Sequence, residues 1–441
     1  MTAFGAVDDP RAIIAREPMH RRQILAIAIA TALNALDGFD VLAISFASPG
    51  IAGQWHVDRA ALGVVLSMEL IGMAIGAFAL GSLADRIGRR PTILACLAIM
   101  ATGMGLAAAS TSVVMLSAVR LFTGLGIGGM LAATNAIVAE CANARRRNLS
   151  VAIMAGGYPM GAIVGGTIAS ALLASTGEWQ AIFVFGAIAT AVFIPLVLSL
   201  VPETIAFLCA RQPADALSKV NRTMIRQGRA PLTALPPLDS ATARTGLREA
   251  FGRGMAGVTM LLVATYFFHI MTFYFLMKWI PKVVADMGFA PALAGGVLVW
   301  ANVGGASGSI ALSLLTQRFD VRRLVVCAMI GGAIAVAVFG QHLKTLPTLS
   351  AAALIAGFFT NGATAGLYAV FAQSFPARLR AGGTGLVIGI GRGGAALGPI
   401  IAGLLFSAGW PLALVAPIMA CGCLVGAICL SRVRPAEEAL A

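Results

Sequence analysis

Charge is what this sequence has least of. Asp, Glu, Lys and Arg make up 11% of its 441 residues, while 59% are hydrophobic. Soluble domains carry about 25% charged side chains, and so few could not clothe a core of this size in water. Most of the surface must therefore face lipid. Lysine occurs only four times and never after a glycine. The G-x-x-x-x-G-K-[ST] loop that cradles nucleotide phosphates is thus absent, which excludes an ATP-driven pump of that kind. A D-x-x-D pair stands at Asp37 and Asp40 without a second copy, which argues against an intramembrane prenyltransferase, whose magnesium–diphosphate is clamped by two acidic clusters. The seven cysteines fit no zinc or redox spacing and read as small buried hydrophobes. No enzyme chemistry, metal or cofactor is expected. Nor is a cleavable signal peptide: residues 1–23 are polar, with Arg11, Arg16, Arg21 and Arg22, and the apolar stretch that follows is long and carries acids, so it reads as a retained helix.

What the sequence does have is apolar runs long enough to cross a bilayer, at about 20 residues each. Six fall within 24–201 and six within 254–430, leaving a polar N-terminal segment (1–23), a connection (202–253) and a tail (431–441). The connection holds Pro202, Pro213, Pro231, Pro236 and Pro237 and reads as a linker between two bundles, with a short surface helix. The net charge of +13 would suggest nucleic acid in a soluble protein. Here the basic residues cluster in alternate connections, as the positive-inside rule expects. With a cytoplasmic N-terminus, 25 Lys and Arg fall inside and four outside (Arg59, Lys278, Lys282 and Lys344). Both termini are therefore expected in the cytoplasm of a bacterial-type inner membrane, with no nucleic-acid partner.

The halves echo one another. The loop after the second span reads Gly81-Ser-Leu-Ala-Asp85-Arg86-Ile-Gly88-Arg89-Arg90, and the loop after the eighth carries Arg318, Asp320, Arg322 and Arg323. Parallel repeats of this kind, with a site at their interface, belong to rocking secondary transporters. In the first loop Gly81 is expected to let two helices approach closely. Asp85 is expected to pair with Arg86, Arg89 or a helix end as a latch that holds one of two bundle arrangements. Glu140, followed by Arg145, Arg146 and Arg147, is expected to form a second ion-pair cluster on the same side.

Within the spans, ionisable residues are costly, at about 2.5–3.5 kcal/mol each on insertion scales, and mark functional sites. Asp37 and Asp40 share one face of the first helix at i, i+3, and two close carboxylates repel, which favours a proton held between them. At about 1.5 Å per residue, Asp37, Glu69, Arg120 and Arg392 fall at similar depth, with His269 nearby. These groups, with Asp40 and without the histidine, sum to −1 if ionised, so an anion would worsen the balance unless protons accompany it. Asp37, Asp40 and Glu69 are the expected proton-coupling acids. Arg120 and Arg392 are the expected partners of a substrate carboxylate, since guanidinium pairs with it bidentately; a purely structural pair of Arg120 with Asp37 stands as the alternative. Tyr158 and Tyr266 are added as substrate-binding candidates. His269 reads as a relay, a ring-hydroxyl partner or a packing residue. In the aromatic seventh span, Trp279 suits the interfacial belt. Glycines recur every four residues at 157, 161 and 165 and at 385, 389 and 393, as sliding seams or static close packing.

The ten-residue loop from Gly81 to Arg90 resembles the signature of the major facilitator superfamily. Asp37-Gly38-Phe39-Asp40 is similar to the first-helix motif of its aromatic acid:proton symporter family. The stretch from Arg120 to Gly129, Pro202-Glu203-Thr204 with Phe207-Leu208, and Gly385 through Pro399 resemble further elements of that family, so the likeness spans nearly the whole chain. It departs at Ala133-Thr134-Asn135, which lacks a proline, at Asn143 and Thr204, and at Glu69, where an uncharged residue is expected. The resemblance implies an all-α membrane protein of twelve transmembrane helices in two pseudo-symmetric bundles. It also implies a monomeric carrier that imports a small, aromatic carboxylate with protons by alternating access. A proton-coupled exporter of drugs or metabolites on the same fold is the alternative; two arginines in the spans favour an anion over the cations typical of such exporters.

Overall fold

The computed structural model describes residues 9–238, 255–341, 343–376 and 379–433. Expectations for residues 1–8, 239–254 and 434–441, in the terminal segments and the connection, lie outside the described residues. The described residues form fifteen helices. A short α1 (Pro10–Arg16) precedes six long ones: α2 (Arg21–Trp55), α3 (Arg59–Ile87), α4 (Arg89–Ala108), α5 (Val113–Cys141), α6 (Arg147–Thr176) and α7 (Gln180–Leu200). Two short helices follow, α8 (Ile205–Arg211) and α9 (Ala216–Arg226). Then come α10 (Ala256–Asp286), α11 (Pro291–Leu315), α12 (Val321–Phe339), α13 (Leu346–Ser374), α14 (Arg380–Ser407) and α15 (Leu412–Ser431). The twelve long helices are each apolar enough to cross a membrane.

Several of these helices run past the apolar stretches that announce them, α2 to 35 residues. A hydropathy ruler measures only the hydrocarbon core, whereas the helix continues until a cap satisfies its end. Asp58, Ser112 and Asp320 supply such caps, accepting the backbone N–H of Ala61, Met115 and Arg323 at 3.1, 3.2 and 2.9 Å. Gly88, at φ +110°, makes the sharp break between α3 and α4 that a Cβ would resist.

The two sets of six pack alike. In the first, α3 lies on α5, α2 on α6 and α4 on α7; in the second, α11 lies on α13, α10 on α14 and α12 on α15. The repeat extends to single contacts. Arg90 donates to the Leu198 carbonyl at the end of α7, and Arg322 donates to the Leu430 carbonyl at the end of α15, at 2.8 Å. A cation thus closes the last turn of the sixth helix of each set, where unpaired carbonyls carry partial negative charge.

Glycine seams set the tightest crossings. Gly157 and Gly161 lie against the α2 backbone at Thr31 and Ala35, and Gly165 against the Phe39 ring, as the row in that helix predicts. On α14 the seam runs one face over from the expected row. Gly394 and Gly398 meet the α10 backbone at Phe267 and Met271, whereas a Cβ at Gly385 would meet nothing. Gly81 also differs: its neighbour Ala132 stands at ordinary distance, and the close crossing of α3 with α5 is made by Gly72, Gly76, Gly124 and Gly128.

The described part of the connection carries two short helices where one was expected. With α1 they enclose a separate small core of Ile14, Phe207, Leu208, Val220 and Met224. Glu17 ties α1 to this layer through Arg229 at 2.8 Å.

Candidate functional site

Among the described residues two ion pairs run between the bundles, Arg59–Asp286 at 3.0 Å and Lys278–Glu69 at 3.3 Å, with the hydrogen bond Ser407–Asp58 at 3.4 Å. All lie in the half of the molecule away from α1 and the short helices. There α3 meets α14 so closely that a Cβ on Gly63 would sit 2.6 Å from the Pro399 carbonyl oxygen. The bundles are closed at that end.

Inward of this closure lie two charged groups. The first surrounds Arg392 of α14. All four tyrosines of the chain (Tyr158 on α6, Tyr266 and Tyr274 on α10, Tyr368 on α13) lie within electrostatic reach of its guanidinium. Tyr158 and Tyr274, one from each bundle, lie within electrostatic reach of each other, and the hydroxyls of Tyr266 and Tyr368 stand 3.3 Å apart. Arg392 Nη1 is buried without a hydrogen-bond partner, yet Arg392, Tyr158 and Tyr274 keep part of their surface and Tyr368 is exposed. A guanidinium with an unused donor, ringed by phenols, is a ready seat for a planar carboxylate. The structure brings Arg392, Tyr158 and Tyr266 together, and places Tyr274 and Tyr368 with them. The i, i+8 spacing of Tyr266 and Tyr274 on one helix face was the available signal.

The second group is fully buried. Asp37 and Asp40 lie on α2, and none of their four carboxylate oxygens has a hydrogen-bond partner. Asp40 is within electrostatic reach of Arg120 and Glu69. Arg120 on α5 does not pair with Asp37. It forms an ion pair with Glu69 of α3, donates to the Asp40 carbonyl at 2.9 Å, and lies 5.5 Å from the Phe183 ring centroid. With no exposed surface, it is an internal counter-ion here and not an open substrate ligand. The second oxygen of Glu69 faces Lys278 of α10, which also donates to the Val41 carbonyl.

Lys278 corrects the expectation that it sits in an outer loop, because α10 continues to Asp286 and carries the lysine inside. The Lys and Arg bias becomes 25 to three, and the charge sum of the buried groups rises from −1 to zero. Trp279 is likewise no belt residue: it is buried and donates to the Pro399 carbonyl at 3.2 Å. His269 stands apart from both groups. Its Nε2 meets Thr364 Oγ1 and the Thr360 carbonyl, each at 3.0 Å, and its Nδ1 meets Cys423 Sγ at 3.4 Å. Of its three readings, packing within the second bundle is the one the geometry fits.

The loop cluster holds Asp85 against Arg89, one of the partners expected for it, and differs from expectation in the place of Glu140. Arg89 is its hub, 3.2 Å from Asp85 and 2.8 Å from Glu140, with the Phe207 ring beneath it. Glu140 thus joins the first loop and accepts from the Thr204 hydroxyl, leaving Arg145, Arg146 and Arg147 exposed. Arg86 is exposed as well. Glu203 caps α4: its carboxylate accepts the backbone N–H groups of Arg89 at 3.1 Å and Arg90 at 3.2 Å. Burial pushes the Glu203 carboxyl above its ordinary range, although these hydrogen bonds pull the other way.

The family model described as Major Facilitator Superfamily matches residues 27–304 and 262–441. The chain is similar to the 4-hydroxybenzoate transporter PcaK of Pseudomonas putida, with 31% identity over 92% of each chain. It is similar to the gallate transporter of Pseudomonas putida at 30% identity, covering 91% of this chain and 90% of the relative. Among solved structures, the xylose transporter XylE from E. coli in an inward open conformation superposes with a TM-score of 0.69. It is 18% identical and covers 95% of this chain and 99% of that one. Twelve membrane-crossing helices in two matching sets, a charged site between them, and family likeness along the whole chain agree: the protein is a multi-pass membrane transporter that belongs to the Major Facilitator Superfamily.

Proposed function

We propose that this protein imports a small aromatic carboxylate together with protons, exposing one central site to the two sides of a bacterial inner membrane in turn. The observation that carries this reading is the unused donor of Arg392 inside its ring of tyrosines, together with two buried carboxylates on the other bundle that lack hydrogen-bond partners. Arg392 holds the substrate carboxylate bidentately, and the phenol rings pack against the aromatic body and offer hydroxyls to its substituents. The named cargoes of two relatives, 4-hydroxybenzoate and gallate, have this chemistry.

Asp37 and Asp40 exchange the proton. A buried carboxylate without hydrogen bonds is expensive as the anion, and a site whose charges sum to zero takes an anion most cheaply with a proton alongside. The closed end faces outward, so both termini, the Arg89 cluster and the linker lie in the cytoplasm, in keeping with 25 Lys and Arg on that side. The Arg89–Glu140–Thr204 cluster, capped by Glu203, holds the cytoplasmic ends of α3, α4 and α5 as one rigid block that turns with its bundle. The carrier works as a monomer.

Proteoliposomes holding the purified protein test the reading. An inward proton gradient should drive accumulation of 4-hydroxybenzoate, and a protonophore or Asp37→Asn should abolish it. Folded protein that accumulates no aromatic acid, but expels organic cations against a proton gradient, would instead establish the exporter.

A further inference from the structure

Glu69 is the acid that departs from the family pattern, and Lys278 is the cation that the hydropathy of the seventh span conceals. They meet across the bundle interface. Glu69 of α3 bridges Arg120, on its own bundle, and Lys278 of α10, on the other, and Lys278 also donates to the Val41 carbonyl of α2. All three side chains are fully buried. The other ion pair between the bundles, Arg59–Asp286, is exposed at the rim and contributes little. Lys278 follows Tyr274 on α10 by one turn, about 6 Å, and its partner Glu69 lies within electrostatic reach of Tyr274 and Tyr158, so the pair adjoins the tyrosine site on its outer side.

A carboxylate gripped between a desolvated guanidinium and a desolvated ammonium is the arrangement a bound carboxylic acid would take. We propose that Lys278 is a second substrate-carboxylate-binding residue, used from the outer side, and that Glu69 is the built-in ligand occupying it while the outer face is closed. The inference rests on the alternating-access reading above. Both partners of Lys278, Glu69 and the Val41 carbonyl, ride on the first bundle, so moving α10 away from α2 and α3 frees the ammonium in one step. Glu69 meanwhile keeps Arg120. The freed lysine is then the first buried cation that an entering anion meets on its way to Arg392. Glu69 and the anion compete for it, so an external carboxylate holds the outer mouth open until it moves inward.

The test uses full-length protein in proteoliposomes, with 4-hydroxybenzoate as the probe. External half-saturation is measured for the wild type, Lys278→Gln, Lys278→Arg and Glu69→Gln. The width of the outer mouth is read from spin labels at Gly53→Cys and Met287→Cys, in a background with the seven native cysteines replaced. Both neutral variants should widen the mouth, but affinity should move in opposite directions. Lys278→Gln should raise half-saturation roughly tenfold or more and Glu69→Gln should lower it, because one removes a charge-assisted contact and the other its competitor. Lys278→Arg should stay near the wild type. A pair that only holds the bundles together would shift both neutral variants the same way, and that result overturns the proposal. If Lys278→Gln does not fold, Glu69→Gln decides, and an unchanged or raised half-saturation in it refutes the competition. Wild-type protein that binds no aromatic carboxylate overturns the transport reading and this inference with it. Saturable wild-type uptake with Lys278→Gln unchanged overturns the lysine site alone.

Discussion

Arg392 and Arg120 are the same residue type at similar depth, yet their surroundings assign them different work. Arg120 turns both of its Nη groups to internal partners, Met104 Sδ, the Asp40 carbonyl and Glu69, and has no exposed surface, whereas Arg392 keeps an unpaired Nη1 and part of its surface among the tyrosines. Arg392→Ala should therefore reduce uptake at least about a hundredfold, and Arg392→Lys should recover only part of it, because an ammonium cannot reproduce the planar two-point grip; initial-rate uptake with labelled 4-hydroxybenzoate measures both. Asp37→Asn should separate two activities, abolishing gradient-driven accumulation while leaving exchange of internal for external substrate. His269→Gln should lower thermal stability and leave half-saturation within about threefold, since a packing role touches folding and not affinity.

How far the site could be read from the sequence follows from the same residues. Asp37, Asp40, Glu69, Arg120 and Arg392 were legible because an ionisable group in an apolar run is conspicuous on its own. Their pairings were not, because a partner is set by which helix faces which. Arg120 meets Glu69 and not the nearer-seeming Asp37. Lys278 escaped because it stands near the end of its apolar run, where a lysine ordinarily reaches the interface. The surplus acid at Glu69 was the one signal that a buried cation had to exist elsewhere.

At the scale of the element, α4 shows how a membrane helix is anchored from outside the membrane. Its first N–H groups are capped by the Glu203 carboxylate, which arrives from the connection after α7, where a negative charge is favoured. Burial sets the folded-state value of this carboxyl above its ordinary 4.5. The folded state therefore holds the proton more tightly, so its contribution to stability is full below about pH 4.5 and fades as pH rises through the folded value. Thermal unfolding in detergent should show this gain toward acid in the wild type, and Glu203→Gln should flatten it. The crossing of α6 on α2 makes a second claim at this scale. A Cβ on Gly161 would collide with the Ala35 backbone, so Gly161→Val should force the helices apart and cost several kcal/mol, about the range of severe overpacking, seen as lost folded yield. The glycine periodicity announced this seam but misplaced the one on α14. Every-fourth spacing marks small residues without saying which face meets the neighbour, and on α14 the α10 backbone lies against Gly394 and Gly398.

For the whole molecule, the count of twelve and the division into six and six were legible, because the bilayer imposes one length on every crossing helix. The layer formed by α1, α8 and α9 was only half visible: its helices are too short for a hydropathy window, and the contacts that fold them join residues almost two hundred positions apart. Orientation is checkable by labelling intact cells with a membrane-impermeant maleimide. Gly53→Cys, in open space at the closed end, should react from outside, and Asn148→Cys, beside the exposed arginines at the start of α6, should react only after lysis. The reverse pattern would turn the protein over and make the closed face cytoplasmic.

The gathering of every tyrosine around one guanidinium has a practical consequence. A spectroscopist needs no introduced probe. Protein grown on tyrosine labelled at the single ring carbon that bears the hydroxyl would give one magnetic resonance signal from each of the four tyrosines, all from a single locality, with no tyrosine elsewhere to crowd the spectrum. Titrating candidate compounds against those signals would sort ligands from bystanders before any flux is measured.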